Sequence, residues 1–415
     1  MIKEQLRNRI RESLSRSLYL CGKPSSIARF HNKYSRVLTI AGIVDTPCRG
    51  DGERWSGFYR YIIKDQEEVS RLDLIHISID EYVSDVGDSM LIICHDGVYE
   101  HEIARFLDFF GLNHMQNYIY SSVADAVLDG RRVMILQGYY CFMRDIYAFL
   151  QKIESLCQDY LTFACVYEEQ SGIPFSLGLN TLIRLCDVYI YNQESKHYWF
   201  SREMLSKDCR MICIPCVWFN ALMPQIDRVM NSYRNTLAIP VDGPTMPYKY
   251  GDRELNRLLC QNVPVDEIVR IVSREDYFSA EKIVAVFKKE LRMLRVYEKK
   301  CDVKLSEYIN EHYRTKRLFS CNDHWEESLA EACARGIVSI LGYIVDDDIH
   351  LEFVKKYNQV PIYPSVAHAL EIDWVTPETR YYLRWGCGAE YSTFQEYVRR
   401  YCETVKLMKS IKEIW

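Results

Sequence analysis

The stretch that most limits how this chain can fold is Arg131 to Phe142, RRVMILQGYYCF. Val133 to Leu136 is an apolar run without polar alternation, led by two arginines. A run of that kind suits a strand covered on both faces, as in a parallel sheet. Gln137-Gly138 ends it, and a helical pattern follows from about Asp145. Open α/β sheets hold their ligands at such strand–glycine turn–helix junctions, at the carboxyl end of a strand. Gly138 would permit a close backbone approach or a positive φ. Tyr139, Tyr140 and Cys141 would then stand at the mouth of the crevice. The same residues also read as a buried strand with an ordinary tight turn, and the stretch alone leaves both readings open.

A chain of 415 residues is too long for one typical domain. Its apolar fraction of 48% supports packed cores, and its net charge of -5 argues against a nucleic-acid binder, which would carry a basic face. No apolar run is long enough to span a bilayer. The N-terminus, MIKEQLRNRIRESLSRS, is an amphipathic helix rather than a signal peptide: Ile2, Leu6, Ile10 and Leu14 share one face and no apolar core segment follows. A cytoplasmic location is expected. The helix is expected to pack on the first domain, although its Lys and Arg residues leave open a peripheral membrane contact. The sixteen cysteines then read as reduced, mostly buried apolar groups. Cys and His lack zinc-finger spacing, so no metal is expected.

Residues 17–120 read as a small α/β unit. Its expected strands are Ser17–Cys21, Val37–Val44, Asp73–Ile79, Met90–Cys94 and Tyr118–Tyr120, with helices at Ser25–Tyr34 and Glu100–Phe110. Alternation of strands and helices predicts a parallel sheet. After a short helical link at Val123–Gly130, a second unit begins at Arg131. It has strands at Val133–Leu136, Tyr160–Val166, Asp187–Tyr191 and Met211–Ile214, and helices at Asp145–Cys157 and Gly178–Leu185. Three of its strands end in polar or glycine residues, Gln137-Gly138, Glu168-Glu169 and Asn192-Gln193, which in a parallel sheet would share one edge. From Gly251 the chain becomes helical, with Ser279 as the N-cap of a long helix. Asn322 or Asp323 would cap a helix starting near Trp325, which places His324 at a helix start, where the neutral imidazole a general base needs is favoured.

Two resemblances add to this reading. LYLCGKPSSIARF, IAGIVD and SMLIIC resemble the small Rossmann-like domains of bacterial surface-sugar enzymes, with Lys23, Pro24, Ser25 and Ser26 where a dinucleotide fingerprint would need glycines. Residues 131 to about 343 resemble the WcbI-type polysaccharide-biosynthesis family. The matching blocks are VMILQGYYC, DVYIYNQESKHY, RMICIPCVWFNALMPQ, NRLLCQNVPVDEIVRIVSREDYFS, DVKLSEYINEHYRTKRLF and SCNDHWEESL, in order.

The second resemblance implies an SGNH-hydrolase-like fold. The expected architecture is α/β: a Rossmann-like parallel-sheet domain at 1–122, then an SGNH-like domain at 123–415 with a helical C-terminal half. It also implies sugar or glycan O-acetyl transfer from coenzyme A or acetyl-coenzyme A. The family's motif His falls on His324, Asp323 stands where the family has Asn, and Gln193 or Asn192 falls on a strand-end amide. The family's GNCQ-like turn is absent: Gly138 aligns, Tyr139 or Tyr140 takes the Cys position, and Cys141 is shifted. The site so implied comprises His324 as base and Cys141 as thiol, with Gln137, Gly138, Tyr139, Gln193 and Asp323 around the substrate or cofactor. A glycan esterase and a non-catalytic sugar- or partner-binding module of a biosynthetic complex remain as alternatives, and a homo-oligomer is left open.

Overall fold

The computed structural model describes residues 2–22, 24–45, 72, 74–84, 89–94, 107, 112, 114–116, 118–138, 142–166, 177–192, 202–227, 251–322, 324–353, 358–385 and 388–414. Its contacts gather the chain into two compact units. One comprises Met1–Leu136, Cys157–Ile190 and Lys196–Met211; the other comprises Gln137–Leu156, Tyr191–Ser195 and Ile212–Trp415. The grouping differs from a single cut at residue 122, because three strands of the second sheet begin in the first unit and end in the second.

The first unit holds a five-stranded parallel sheet of β1 (Leu18–Gly22), β2 (Ile40–Asp45), β3 (Ile75–Ser78), β4 (Met90–Cys94) and β5 (Tyr118–Tyr120). Their order, β3-β2-β1-β4-β5, is that of a doubly wound, Rossmann-like sheet. Gly22 has a φ of +124°, and a Cβ there would run into the Cys94 carbonyl of β4. The glycine is thus required by strand packing, without any ligand. β2 starts at Ile40 rather than Val37. The turn that closes helix Pro24–Tyr34 takes up residues 35–38, with the amides of Val37 and Leu38 both donating to the Tyr34 carbonyl at 2.9 Å. Of the expected helix at Glu100–Phe110, only Leu107 lies within the described residues, and it is helical. Helix Ile2–Leu14 buries Ile10 and Leu14, and Lys3 pairs with the Asp187 carboxylate. No described helix is long and apolar enough to cross a membrane.

The second sheet contains β6 (Arg132–Gly138), β7 (Tyr160–Val166), β8 (Val188–Asn192) and β9 (Arg210–Ile214), in the order β7-β6-β8-β9. The strands begin side by side. The Asp187 amide donates to the Val133 carbonyl at 2.8 Å, the Arg210 amide donates to the Asp187 carbonyl at 2.9 Å, and Arg132 pairs with Asp159 at 3.0 Å. With all starts at one edge, the strands run parallel. The helix expected over Asp145–Cys157 begins earlier and breaks, giving Phe142–Leu150 and Glu154–Asp159. Phe142, Met143, Ile146, Phe149 and Leu150 form its buried stripe, and extending the helix back to Phe142 adds a full turn of that stripe.

The second unit is otherwise mostly helical: Arg253–Cys260, Val265–Val272, Ala280–Tyr297, Ser306–His312, Glu327–Leu341, Pro364–Leu370 and Phe394–Ile414. Ser279 caps the 18-residue helix Ala280–Tyr297 as expected, its hydroxyl accepting from the Lys282 amide at 3.4 Å. Asp252 caps Arg253–Cys260 and also accepts hydrogen bonds from the Tyr363 hydroxyl at 3.0 Å, tying two helices to one buried carboxylate. Three antiparallel pairs complete the unit: β10 (Ile226–Asp227) with β11 (Gly251–Asp252), β12 (Phe319–Cys321) with β13 (His324–Trp325), and β14 (Tyr381–Trp385) with β15 (Gly388–Ser392).

Candidate active site

In the second sheet the chain passes from β6 outward to β7, then returns to place β8 on the other side of β6. Strand order therefore reverses between β6 and β8, and the crevice outside the carboxyl ends of two such strands is where doubly wound sheets bind ligands. Gln137 and Gly138 end β6 and Asn192 ends β8; all three belong to the second unit. Gln137 is 1% exposed, and among the described residues neither its amide nitrogen nor its amide oxygen has a hydrogen-bond partner. A buried amide left unpaired costs about 1–3 kcal/mol, so such a group marks a place for a ligand or an ordered water. The space beside Gly138 is filled by the Met143 side chain, which a Cβ would strike.

His324 is not at a helix start. It is the first residue of β13, and the helix that follows begins at Glu327 with Glu326 as a cap that makes no side-chain capping bond. The expected cap, Asn322, is used for long-range contacts instead. Its carbonyl accepts from the Phe219 amide at 2.9 Å and its Nδ2 donates to Asn220 Oδ1 at 2.8 Å. Asn220 is itself held by Glu290, which accepts from the Asn220 and Ala221 amides at 2.9 and 2.8 Å. The hairpin is fixed further by the Trp325 indole N–H donating to the Val217 carbonyl at 3.1 Å, and by the Val360 amide donating to the Ser320 carbonyl at 2.6 Å.

His324 has a thiol at contact distance, and its charge bears on a buried carboxyl. Across the hairpin, where Cys321 and His324 are register partners, Cys321 Sγ lies 3.1 Å from His324 Nδ1. Helix Phe142–Leu150 carries Asp145, 2% exposed, whose Oδ2 has no hydrogen-bond partner among the described residues. Burial pushes the Asp145 carboxyl up to about 7; Arg144 pulls it down, Glu327 pushes it up and His324 pulls it down. The helix is locked to the hairpin by the Phe142 and Trp325 rings, stacked 3.9 Å apart at 8°. Since Phe142 follows Gly138 by four residues, the end of β6 and the histidine hairpin are joined through one short helix. Glu327 also lines a cavity of about 600 Å³ with Lys316, Arg317, Glu326, Glu331 and Arg335.

Of the residues singled out in the sequence, Gln137, Gly138 and His324 fall in this region, whereas Tyr139, Cys141, Gln193 and Asp323 lie outside the described residues. Asp145 and Cys321 were not singled out. Each carried a signal: Asp145 is an acid inside an apolar helical stripe, and Cys321 precedes His324 by three residues in a polar segment. The sequence also holds one Cys-x-x-Cys spacing, Cys213 and Cys216. They do not act together, for Cys213 Sγ is 3.9 Å from Cys301 Sγ while Cys216 Sγ accepts from the Trp218 indole at 3.1 Å. Among the described residues no group of three or more His, Cys, Asp or Glu could hold a metal.

Residues 175–344 match the family described as polysaccharide biosynthesis enzyme WcbI. A solved structure of WcbI, a polysaccharide biosynthesis enzyme in a native form without a disulfide bond between coenzyme A and one of its cysteines, has a similar fold. It covers 66% of this chain and 89% of its own at 14% identity, with a TM-score of 0.50. No curated relative matches the chain.

Proposed function

We propose that this protein, with its WcbI-like segment as the premise, moves an acyl group from a coenzyme A thioester to a hydroxyl of a sugar or glycan precursor. The family match over residues 175–344 points to polysaccharide biosynthesis. The reaction rests on one observation: an imidazole, His324, fixed on a braced hairpin with the Cys321 thiol 3.1 Å from its Nδ1. Deprotonating a sugar hydroxyl as it attacks an acyl carbon needs a positioned base, and His324 supplies one. When ionised, Asp145 favours the imidazolium that forms as His324 takes the proton.

Gln137 suits the donor. The pantetheine arm of coenzyme A carries secondary amides, and a buried primary amide whose donor and acceptor are both unused among the described residues can pair with one of them in either sense. Coenzyme A itself supplies an activated acyl carbon and a thiolate leaving group. The cavity beside Glu327 suits the acceptor, since carboxylates and guanidinium groups are the hydrogen-bonding partners that vicinal hydroxyls require.

The test is release of free thiol from acetyl-coenzyme A in the presence of a panel of nucleotide sugars, with acetylated sugar identified by mass. His324→Ala is expected to lower kcat by about 10²- to 10⁴-fold while the thermal midpoint stays within a degree or so. Thiol release without acetylated sugar would assign the chain to hydrolysis. A rate indifferent to His324→Ala would remove the reading altogether.

A further inference from the structure

Buried cysteines are usually inert, and several here behave so. Cys21 is pushed up to about 12 by burial, Cys333 is pushed up in the same way, and the Cys186 thiol donates to the Val133 and Val188 carbonyls. Cys321 differs in its neighbour. Its sulfur lies 3.1 Å from an imidazole nitrogen that can accept its proton. That separation is within the reach that defines an activated nucleophile and its base.

We propose that Cys321 is the acyl-accepting nucleophile of this site and His324 Nδ1 its base. The inference rests on the acyl-transfer reading for its donor, a coenzyme A thioester, but on geometry for the pair itself. Register pairing in the β12–β13 hairpin puts the two side chains on one face, so their contact is set by backbone hydrogen bonds rather than by a flexible loop. The hairpin is held on both sides of the pair, through Ser320 to Val360, through Asn322 to Phe219 and Asn220, and through Trp325 to Val217 and Phe142. A pair braced without substrate costs little reorganisation when substrate arrives. Asp145 supplies the third group, a carboxyl on a neighbouring helix whose charge bears on the imidazole.

The steps balance as follows. The Cys321 S–H proton moves to His324 Nδ1 as Sγ bonds to the thioester carbonyl carbon. The bond from that carbon to the coenzyme A sulfur breaks, and the departing thiolate takes the proton from the imidazolium, leaving a new thioester on Cys321. A sugar hydroxyl then attacks that thioester, its proton passes to His324, the carbon–Sγ bond breaks, and Sγ recovers the proton. No net oxidation or reduction occurs. The family resemblance implied a thiol at Cys141; the hairpin geometry favours Cys321 instead.

The test uses the full chain. Acetyl-coenzyme A without acceptor, quenched in acid and mapped by peptide mass, should leave one acetyl group on the peptide holding Cys321. Separately, iodoacetamide should alkylate Cys321 at least about tenfold faster than Cys213 or Cys333 at neutral pH, and His324→Gln should remove most of that advantage. Cys321→Ser should lose transfer by at least about a hundredfold at an unchanged thermal midpoint. Transfer retained within a few-fold by Cys321→Ser, acetyl trapped on another cysteine, or alkylation no faster than at Cys333 would each overturn the proposal. The two readings fail differently. Fast, His324-dependent alkylation with no acetyl transfer keeps the nucleophile and removes the acyl-coenzyme A donor; transfer that survives Cys321→Ser keeps the donor and removes the nucleophile.

Discussion

Asp145 shows how one side chain can weigh on both stability and chemistry. A carboxyl 2% exposed, with one oxygen unpartnered among the described residues, is an expensive group to keep. Its folded-state pKa, about 7, stands above its ordinary value of 3.8. Between those values the folded protein binds more protons than the unfolded chain, so stability falls as pH rises through that window. The contribution is full below the lower value and lost above the upper one. Asp145→Asn keeps the shape and cannot ionise. The variant should match the wild type near pH 4 and exceed it near pH 8, by up to about 4 kcal/mol, less whatever the His324 imidazolium contributes to the charged form. Urea unfolding at the two pH values measures the gap, and an equal effect at both would mean that Asp145 titrates as an exposed carboxyl does. The same variant should lose acyl transfer, because its amide no longer favours a charged imidazole. A more stable and less active protein is the outcome expected of a residue kept for its chemistry.

At the scale of elements, what could be read from the sequence divides along a physical line. Val133–Leu136, Met90–Cys94 and Tyr160–Val166 were legible because local apolar pattern and length fix a strand without help from distant residues. The β12–β13 hairpin was not. Its segment, FSCNDHW, has too few residues for a strand pattern, and Asn322-Asp323 before Trp325-Glu326-Glu327 looks like a helix start. Partners about a hundred residues away, Val217, Phe219 and Asn220, decide its conformation. Trp325 should therefore carry much of the hairpin's stability. Trp325→Ala removes the ring stacked on Phe142 and strands the Val217 carbonyl. It should cost about 3–5 kcal/mol by denaturant unfolding, whereas Trp325→Phe keeps the stack and should cost only the lost hydrogen bond, about 1–2 kcal/mol. Equal losses for the two variants would show that the stack contributes nothing.

At the scale of the whole chain, two parallel sheets share one architecture and differ in what their glycine turns do. In the first sheet Gly22, the residue nearest to a dinucleotide fingerprint, is needed so that β1 can lie against the Cys94 carbonyl. Pyrophosphate recognition asks for further glycines that give a backbone free to face a ligand, and Lys23, Pro24, Ser25 and Ser26 stand in their place. In the second sheet strand order reverses beside Gln137, whose amide has no partner among the described residues. Both sheets were legible as alternations of strand and helix, but the difference between them was not, since it depends on which polar atoms remain unpaired once the chain has folded. It yields a prediction that separates the units. Coenzyme A at a hundred times its dissociation constant should stabilise the protein by about 2.7 kcal/mol, raising its thermal midpoint, and Gln137→Leu should abolish that rise because an apolar side chain cannot pair with a pantetheine amide. NAD at millimolar concentration should leave the midpoint where it is. A midpoint raised by NAD and indifferent to Gln137→Leu would move ligand binding to the first sheet, against the use of Gly22 in strand packing.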